Sequence, residues 1–480
     1  MSPSVESFDE AKYKALMDGL ECSEINRSEL ERTIRIDPEF YSKSAIKVSD
    51  MLQSHSHDLL TKFVNVSDGN HMGISDYFID EGVPYYRGQD AGAFFIENSN
   101  PICIDEKTFE LPVMKRSHLK KGDVILSIVG TIGSLSLVYS DKRATCSCKL
   151  AILRPKEEKN AELLATFLRG KYGQAQITRF TRGAVQKGLI LEDMDQLVVP
   201  VFGDGIVEAI RNAIQSAYQI QEKANIYCRE AQRTLANVVG SISGPVESAS
   251  VRNISTSFYT TGRLDAEYYQ PKYDEYLSLI ANYKNGYSII KDEFLPIREI
   301  CDRSLAEYQY VEIGDVDIST GSASYNTIAT DDLPDNAKII TQKNDVLVST
   351  VRPNRGAVAI LEDNNLLVSG AFTVLRERGA YKKEVLQVLL RLPLYRDWLL
   401  RNNVGTSYPV IKDDDVLNMP IPLFEDAVQK EIAAKVQESF ALRRQSKQLL
   451  EYAKQAVEMA IEQGEDAALE WLKDKSAEEV

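Results

Sequence analysis

Apolar and polar positions follow the same order in two stretches, KKGDVILSIVGTIGSLSLV at 120–138 and QKNDVLVSTVRPNRGAVAI at 342–360. Each stretch places a lysine and a Gly-Asp or Asn-Asp pair before a run of β-branched and aliphatic residues. A polar or glycine-rich break follows, and then a second apolar run begins. This pattern predicts a buried strand, a tight connection and another strand in each copy.

Further landmarks repeat at a similar distance along the chain. RIDPEFY at 35–41 returns as RLDAEYY at 263–269, which is 228 residues later. The following residues recur 222 positions on: Asp123 as Asp345, Ser127 as Ser349, Gly183 as Gly405, Asp193 as Asp415, Pro200 as Pro422 and Phe202 as Phe424. Loop insertions explain the small drift in this offset. The chain is therefore predicted to consist of two diverged copies of one module.

Each copy ends in a long stretch whose apolar residues recur at helical spacing. The first stripe comprises Ile206, Ile210, Ile214, Tyr218, Ala224, Tyr227, Ala231, Leu235 and Val238. The second comprises Val428, Ile432, Val436, Phe440, Ser446, Leu449, Ala453, Val457 and Ala460. Helices bounded by 203–240 and 425–464 would span roughly 55 Å at 1.5 Å per residue. Two equal stripes in one chain predict that these helices pair with each other in antiparallel orientation.

Ahead of each long helix the pattern is mixed. Short strand-like runs such as KLAILRP and FTVLRE alternate with helical stretches at 161–180 and 383–402. The predicted fold class is α+β: two pseudo-repeated mixed α/β domains joined by two long antiparallel coiled-coil-like helices.

Charge changes this picture locally. The chain of 480 residues has a net charge of −15, which by itself argues against a nucleic-acid partner. However, 107–187 holds 16 Lys and Arg against 6 acidic residues, a net of +10, and 338–412 holds 12 against 6, a net of +6. Two basic segments in an acidic chain indicate two anion-binding surfaces, although a solvated charged face is the alternative.

The cysteine spacing and the start of the chain indicate the cellular compartment in which the protein is expected. The six cysteines are scattered and fit no disulfide framework, and the start of the chain has no signal-peptide pattern. No run reaches transmembrane length. A reducing cytoplasmic location is therefore expected. Cys146 and Cys148 are expected to be ordinary strand cysteines, and His55 and His57 to lie in an exposed turn, because neither pair has further metal ligands at suitable spacing.

The order of these motifs resembles the specificity subunit of type I restriction–modification systems. YYRGQD or YVEIGD is followed by GDVILS or NDVLVS, a Gly-rich turn, two helices, a glycine loop, VVPVF or PIPLF, and a long helix. The second copy, with NMPIPLFEDAVQKEIAAKV, is closer to the family pattern. The first copy, VVPVFGDGIVEAI, lacks the Pro-x-Pro and the glutamine that opens the second helix.

The resemblance implies a division into target recognition domains and spacer helices. The expected parts are an N-terminal helical segment (1–34), a first recognition domain (35–202), a first spacer helix (203–240), a linker (241–262), a second recognition domain (263–424), a second spacer helix (425–463) and a C-terminal tail (464–480). Each domain would read half of a split double-stranded DNA site. The helices would set the gap and dock two methyltransferase subunits, which would in turn recruit restriction/translocase subunits for defence against phage.

No cofactor is expected in this chain; S-adenosylmethionine and ATP with Mg²⁺ would belong to the partner subunits. The sequence lacks a P-loop, an Asn/Asp-Pro-Pro-aromatic loop, H-E-x-x-H and G-x-S-x-G, which favours a non-catalytic role. Two alternatives stay open. One is a cryptic nuclease or DNA-modifying enzyme that uses scattered carboxylates, and the other is an assembly scaffold that has lost DNA binding.

Loops that interrupt the strand pattern supply the candidate DNA contacts, because base and phosphate recognition requires cationic, amide and hydroxyl side chains. In the first copy the candidates are Asn70, His71, Arg87, Gln89, Lys142, Arg143, Lys149, Arg179, Arg182, Gln186 and Lys187. In the second copy they are Tyr325, Asn326, Arg352, Asn354, Arg355, Arg401, Asn402, Ser407 and Tyr408. RIDPEFY and RLDAEYY are predicted to be structural, with a local Arg-Asp pair and aromatic rings that pack the module against its helix.

Overall fold

A computed structural model of the chain describes residues 8–21, 23–30, 35–96, 101–183, 187–240, 251–255, 257–405 and 407–478. These residues form two compact units. Unit 1 contains the chain up to Gln219 together with the segment from Gln445 onward, and unit 2 contains Ile220–Arg444. Among the described residues, no helix combines the length and the apolar character needed to cross a membrane.

Unit 1 is built from short strands and helices followed by the first part of a long helix. Its strands are β1 (His57–Leu59), β2 (Val64–Asp68), β3 (Phe78–Ile79), β4 (Val83–Tyr86), β5 (Cys103–Ile104), β6 (Val124–Ser127), β7 (Leu135–Leu137), β8 (Thr145–Cys146), β9 (Leu150–Pro155) and β10 (Val198–Pro200). Its helices are α1 (Glu10–Met17), α2 (Lys43–Gln53), α3 (Leu60–Phe63), α4 (Glu106–Phe109), α5 (Ala161–Arg169), α6 (Lys171–Phe180) and the start of α7 (Asp204–Val239).

The centre of unit 1 is an antiparallel sheet in the order β2-β9-β6-β7. Side chains alternate along its strands, so the two faces of β6 enter different cores. Val124 and Leu126 pack in the cluster that contains α5, α6 and the long helices, whereas Ile125 packs in a separate cluster with Tyr86 and Cys146. The second cluster joins this sheet to the sheet β3-β5-β4-β8. The sheet is therefore covered by helices on one face and by strands on the other.

Unit 2 repeats this plan. Its strands are β11 (Tyr287–Ile289), β12 (Phe294–Ile297), β13 (Glu307–Val311), β14 (Val316–Asp317), β15 (Ser322–Ala323), β16 (Asn326–Ala329), β17 (Ala337–Ile340), β18 (Val346–Ser349), β19 (Val358–Ile360), β20 (Leu367–Ser369), β21 (Phe372–Glu377) and β22 (Pro420–Pro422). Its helices are α8 (Phe258–Thr261), α9 (Pro271–Ala281), α10 (Ile290–Glu293), α11 (Lys383–Leu390), α12 (Pro393–Trp398), α13 (Asp413–Leu417) and part of α14 (Asp426–Gln463). The central sheet has the order β12-β21-β18-β19, the counterpart of β2-β9-β6-β7.

The repeated stretches 120–138 and 342–360, which we call the repeated phrase, have the predicted structure in both units. β6 pairs antiparallel with β7, and β18 pairs antiparallel with β19. The aspartate that opens each phrase is buried: Asp123 and Asp345 are 1% and 0% exposed. Arg154 donates two hydrogen bonds of 2.7 Å to Asp123, and Arg376 donates bonds of 2.7 and 2.8 Å to Asp345. The pKa of each arginine is raised, chiefly by its hydrogen bonds to that aspartate. The repeated aspartate is thus a structural residue that fixes the start of the strand.

We expect Asp345→Ala to destabilise the protein by about 3–5 kcal/mol, because the substitution leaves the partner guanidinium without its counter-charge. Asp345 also accepts a 2.8 Å hydrogen bond from the backbone N–H of Gln342, which would lose its partner as well. Denaturant unfolding of the two variants Asp345→Ala and Asp363→Ala tests this expectation, since Asp363 is exposed in the loop after β19. Equal midpoints for the two variants would contradict it.

The long helices have the predicted length and orientation. α7 has 36 residues and α14 has 38. In unit 1, the hydroxyl of Ser446 donates to the carbonyl of Ala217 over 2.8 Å. In unit 2, the hydroxyl of Ser439 donates to the carbonyl of Ala224 over the same distance. Within unit 2, Asn225 contacts Arg443, and Glu230, further along α7, contacts Lys435 at 3.7 Å, which is earlier in α14. The predicted antiparallel pairing is thus confirmed in this unit.

The segment predicted as a C-terminal tail contains a further helix, α15 (Glu465–Glu478), which belongs to unit 1. Its Ala468 and Leu472 are buried in the core of that unit. Glu465 accepts the backbone N–H of Gly203 through both carboxylate oxygens, at 3.0 Å each. The apolar residues of this segment are too few to predict a stable helix by themselves, because a short helix depends on tertiary packing. Here the start of α7 provides the surface on which α15 packs.

Candidate nucleic-acid interface

Several loops of unit 1 converge at one end of the sheets β2-β9-β6-β7 and β3-β5-β4-β8. We call this surface loop cluster 1; it comprises 69–71, 87–90, 128–133, 147–149, 181–183 and 187–188. The backbone hydrogen bonds that join these loops are Asn70 N to Cys146 O (2.8 Å), Ser147 N to Tyr86 O (2.9 Å), Ile128 N to Lys149 O (3.0 Å) and Leu189 N to Ile128 O (3.0 Å). The hydroxyl of Thr131 also donates to Gly88 O at 3.0 Å. The loops therefore form one connected surface.

Most first-copy candidates lie on loop cluster 1. His71, Gln89, Lys149 and Lys187 are all exposed, and His71 Nε2 lies 2.5 Å from Asp68 Oδ2. Arg87 is partly exposed and contacts Asp90 at 3.3 Å. Asn70, by contrast, is buried, and its amide bonds the backbone of Met72. Asn70 thus shapes the turn, and Gln186 lies outside the described residues.

Arg182 is held in place by a buried carboxylate. Its guanidinium contacts Asp193, which is buried, and its backbone forms a pair of hydrogen bonds with Gly188. The two ends of the glycine loop are therefore joined at this arginine. A guanidinium fixed in this way loses little side-chain entropy when it binds a phosphate or a base.

Lys142 and Arg143 lie away from loop cluster 1. The loop that carries them connects the end of β7 to the start of β8, and both of those strand ends point away from the cluster. Arg143 pairs with Glu106 at 2.8 Å and with Glu110, and its guanidinium lies over the ring of Phe109 at 4.6 Å. These contacts tie the loop to α4. The structure therefore does not bring these two candidates together with the others.

Unit 2 has the equivalent surface, loop cluster 2, which comprises 312–315, 324–326, 350–356, 369–371, 403–405 and 407–410. The hydrogen bonds that join it are Thr350 N to Ala371 O (2.8 Å), Arg352 N to Pro409 O (2.7 Å), Ile411 N to Thr350 O (2.9 Å) and Val404 N to Val410 O (2.8 Å). β13 and β20 run parallel and end together at this surface, at Val311 and Ser369. Strand ends and glycine loops therefore converge in both copies.

Arg352 and Tyr408 form a cation–aromatic contact in loop cluster 2. Both side chains are exposed, and the guanidinium lies 5.5 Å from the centre of the ring. The backbone of Arg352 has φ of +50°, a left-handed conformation that is uncommon for a residue with a side chain. Its counterpart 222 residues earlier is Gly130, with φ of +84°.

The other second-copy candidates surround this contact or support it. Arg355 and Ser407 are exposed, and Tyr325 and Asn326 are exposed on the strand edge beside Asp315, whose carboxylate accepts from Asn326 at 3.1 Å. Asn354 is partly buried, and its carbonyl accepts from Arg396 at 2.7 Å. The backbone of Asn354 thus contacts α12. The exposed candidates Tyr325, Asn326, Arg355 and Ser407 form the outer surface.

Arg179 and Arg401 occupy equivalent positions and make equivalent contacts. Arg179 donates to the carbonyl of Phe40 at 2.8 Å and lies 4.3 Å over its ring. Arg401 contacts the carbonyl of Tyr268 at 3.4 Å and lies 4.6 Å over its ring. Burial lowers the pKa of Arg179. Both arginines bind the repeated RIDPEFY or RLDAEYY motif, and Asn402, half-buried, lies next to the second of them.

The motif itself has the predicted structural role. Arg35 and Asp37 form a two-bond pair at 2.9 and 2.6 Å, and Arg263 and Asp265 form the same pair at 2.8 and 2.7 Å. The predicted local Arg-Asp pair is confirmed in both copies. Phe40 and Tyr41 pack in the core of unit 1 that contains α7, as predicted, whereas Tyr268 and Tyr269 are only half-buried and pack on each other.

Two features of the surface were not recognised in the sequence. Arg116, half-exposed, pairs with Asp68 beside His71 and so adds a cation next to loop cluster 1. The basic segments also contain cations that serve the fold, such as Arg391, which is buried and donates to Ile318 O at 3.2 Å. Sequence counting cannot separate such cations from surface ones, because their partners are backbone carbonyls more than 70 residues away.

Comparison with known proteins gives a distant structural likeness. No protein-family model matches the sequence, and no curated protein does. The S subunit of a type I restriction–modification system from M. genitalium shares 13% identity, with 87% of this chain and 95% of that chain covered, at a TM-score of 0.35. The HsdS subunit from Thermoanaerobacter tengcongensis shares 13%, with 85% and 96% covered, at 0.28. A chain from a structure of type I restriction–modification assembly shares 13%, with 86% and 97% covered, at 0.28.

Proposed function

We propose that this chain is the DNA-specificity subunit of a type I restriction–modification complex. Each unit reads one half of a split double-stranded DNA site through its loop cluster. The chain supplies sequence recognition and assembly, and catalysis belongs to its partners.

The observation that carries the proposal is the duplication of one surface. Loop clusters 1 and 2 occupy the same end of the same sheet arrangement, and each presents exposed side chains able to bind bases or phosphates. Lys149, Lys187, Arg352 and Arg355 are exposed there although the chain carries a net charge of −15. Two such surfaces on one chain match a DNA site with two recognised segments and an unread gap.

The partners follow from this role. Two methyltransferase subunits, one per module, bring S-adenosylmethionine, and restriction/translocase subunits bring ATP and Mg²⁺. The complex acts on foreign DNA such as that of phage in the cytoplasm. The weaker family pattern at 200–210 makes the two docking positions unequal in strength.

Methylome sequencing of a host that expresses this chain with its cognate methyltransferase tests the proposal. We expect methylation at a split motif, with two specific segments separated by a constant number of unspecified bases. Expression of the methyltransferase alone is the control and should leave the motif unmethylated. Methylation at one continuous motif would contradict the division of labour between units, and cleavage or methyl transfer by the purified chain alone would favour the enzyme alternative.

A further inference from the structure

Two helices follow the last strand of the central sheet in each unit, α5 and α6 in unit 1 and α11 and α12 in unit 2. Arg169 and Gln174 of the first helix pair recur 222 residues later as Arg391 and Arg396. All four side chains donate hydrogen bonds to backbone carbonyls in or beside the loop clusters. We call these four residues the loop supports.

In unit 1, the first loop support holds two loops of cluster 1. The guanidinium of Arg169 donates to the carbonyl of Gly92 at 2.9 Å and to that of Leu135 at 2.6 Å. Gly92 comes two residues after the segment 87–90, and Leu135 comes two residues after the segment 128–133. Both segments belong to loop cluster 1. One guanidinium therefore ties the backbone of both loops to α5.

The equivalent arginine of unit 2 holds the equivalent loop. Arg391 donates to the carbonyl of Ile318 at 3.0 Å and to that of Ser319. These two residues come shortly after the segment 312–315 of loop cluster 2. Arg391 is 5% exposed, and burial lowers the pKa of both Arg391 and Arg169. Because a guanidinium is costly to bury, its recurrence at one position of the repeat indicates that the contact matters.

The second loop support holds the turn inside the repeated phrase. Gln174 donates through Nε2 to the carbonyl of Gly133 at 3.0 Å, and a Cβ atom at Gly133 would lie 2.7 Å from Gln174 Oε1. Arg396 donates through Nε to the carbonyl of Asn354 at 2.7 Å. A Cβ atom at Gly356, in the same turn, would lie 3.1 Å from Arg396 Cδ. Two different side chains therefore hold the same turn at close range in the two units.

The acceptors of the loop supports are all backbone carbonyls. A residue keeps its carbonyl whatever side chain it carries, so these contacts do not depend on the loop sequence. The side chains of Gln89, Arg352 and Arg355, in the same loops, are exposed. The loops can therefore present different base-reading side chains from a backbone that the helices keep in one position.

We propose that the four loop supports are positioning residues, which determine the accuracy of base reading by fixing the backbone of the loop clusters. The inference rests on the proposed function, and it assigns none of the four side chains to DNA itself. Hydrogen bonds to base edges require donors and acceptors placed to within about 0.5 Å. Loss of a loop support should therefore lower the discrimination between correct and substituted half-sites more than it lowers affinity for DNA in general.

Substitution of Arg396 tests this role in unit 2. Arg396→Ala should lower discrimination at one half-site by about tenfold and leave the other half-site unchanged. Arg396→Gln should retain most of the discrimination, because glutamine makes this contact in unit 1. The measurement is binding of the chain, assembled with its methyltransferase, to DNA with single substitutions in either half-site, at several salt concentrations.

Two further variants make the test specific. Arg378→Ala is the matched control, because Arg378 is exposed after β21, at the end of the sheet opposite loop cluster 2, and its loss changes the charge equally. It should leave discrimination at both half-sites unchanged. Gln174→Ala carries the test in unit 1 without a change of charge and should affect the other half-site. Thermal unfolding of each variant separates lost stability from lost accuracy.

Two results would overturn the inference. One is equal loss of affinity for correct and substituted half-sites, with a weaker salt dependence and no recovery in Arg396→Gln, which would make Arg396 a phosphate contact. The other is unchanged discrimination in folded Arg396→Ala and Gln174→Ala variants. Both results leave the proposed function standing if the wild-type complex binds a split site. Absence of such binding by the wild-type complex overturns the proposed function and the inference with it.

Discussion

Replacing Arg352 with glycine is expected to stabilise unit 2 and at the same time to weaken recognition of one DNA half-site. Arg352 has φ of +50°, whereas its counterpart Gly130 has φ of +84° in the same repeated turn. A left-handed backbone costs a residue with a side chain roughly 1–2 kcal/mol, and glycine adopts it without that cost. The turn therefore carries an arginine at a position where glycine would suit the fold better.

In the proposed function, recognition of DNA gives a reason for a long cationic side chain at this strained position. The guanidinium is exposed over Tyr408, and its backbone N–H is bonded to Pro409 O at 2.7 Å. The side chain is thus presented outward from a fixed backbone. Loss of a base-reading arginine costs about 1–3 kcal/mol of discrimination at one base pair, whereas loss of a phosphate contact weakens all sequences and lowers the salt dependence of binding.

Arg352→Ala is the matched control, because alanine removes the same side chain and keeps the strained backbone. Both variants should weaken the same half-site, and only Arg352→Gly should unfold at a higher denaturant concentration. Binding of the assembled complex to DNA with substitutions in either half-site, at several salt concentrations, gives the first measurement. Unchanged binding by Arg352→Gly, or equal loss over both half-sites, would contradict the reading role.

The equivalent change in unit 1 should affect the other half-site. Arg182→Ala removes a guanidinium that Asp193 holds beside the glycine loop. Arg182→Ala also leaves the buried carboxylate of Asp193 without this partner, so Lys187→Ala, which changes an exposed side chain of the same loop cluster, is measured beside it. Arg179 is a poorer choice than Lys187, because its contacts with Phe40 support the fold of the motif. A variant of Arg179 would mix lost stability with lost recognition.

The repeat, the strands of the repeated phrase and the long helices could be predicted from sequence because each depends on local periodicity. α7 runs from Asp204 to Val239, directly between the glycine signals that predicted it. Gly203 directly precedes α7, and Gly240, with φ of +87°, directly follows it, so these bounds depend on local signals and not on distant contacts. The Arg-Asp pair of each motif spans two residues and could be predicted for the same reason.

The site could be predicted only in part, because long-range contacts decide which loop cations face solvent. Arg143 belongs to a loop at the other end of the strands, and Asn70 is buried in a turn. The strain at Arg352 is also invisible in sequence, where Arg-Pro-Asn-Arg gives no sign of a positive φ. These properties depend on partners 30 or more residues away, such as Pro409, which accepts from the backbone of Arg352.

The paired helices lead to a prediction about the gap between half-sites. In the proposed function their length sets the distance between the two DNA-reading units. One inserted heptad adds about 10 Å to a helix at 1.5 Å per residue, which corresponds to roughly three base pairs at 3.4 Å each. A heptad also keeps the apolar stripe on the same face. The half-sites should stay the same while the gap grows by about three base pairs.

The antiparallel pairing requires that the insertion be made in both helices. Ser446 bonds the carbonyl of Ala217, and Ser439 bonds that of Ala224. Equal heptads placed between 217 and 224 in α7 and between 439 and 446 in α14 keep both hydrogen bonds. An insertion in α7 alone would shift one of these buried pairs by two turns, and we expect that variant to lose methylation because its helices cannot pair.

Methylome sequencing of a host that carries the doubly inserted chain and its methyltransferase measures the gap directly. A heptad inserted at Asp363, in the exposed loop after β19, is the control and should leave the gap unchanged. A doubly inserted chain that methylates the original motif with the original gap would show that helix length does not set the spacing. A change in the half-sites themselves would contradict their assignment to the loop clusters, because neither insertion alters a loop-cluster residue.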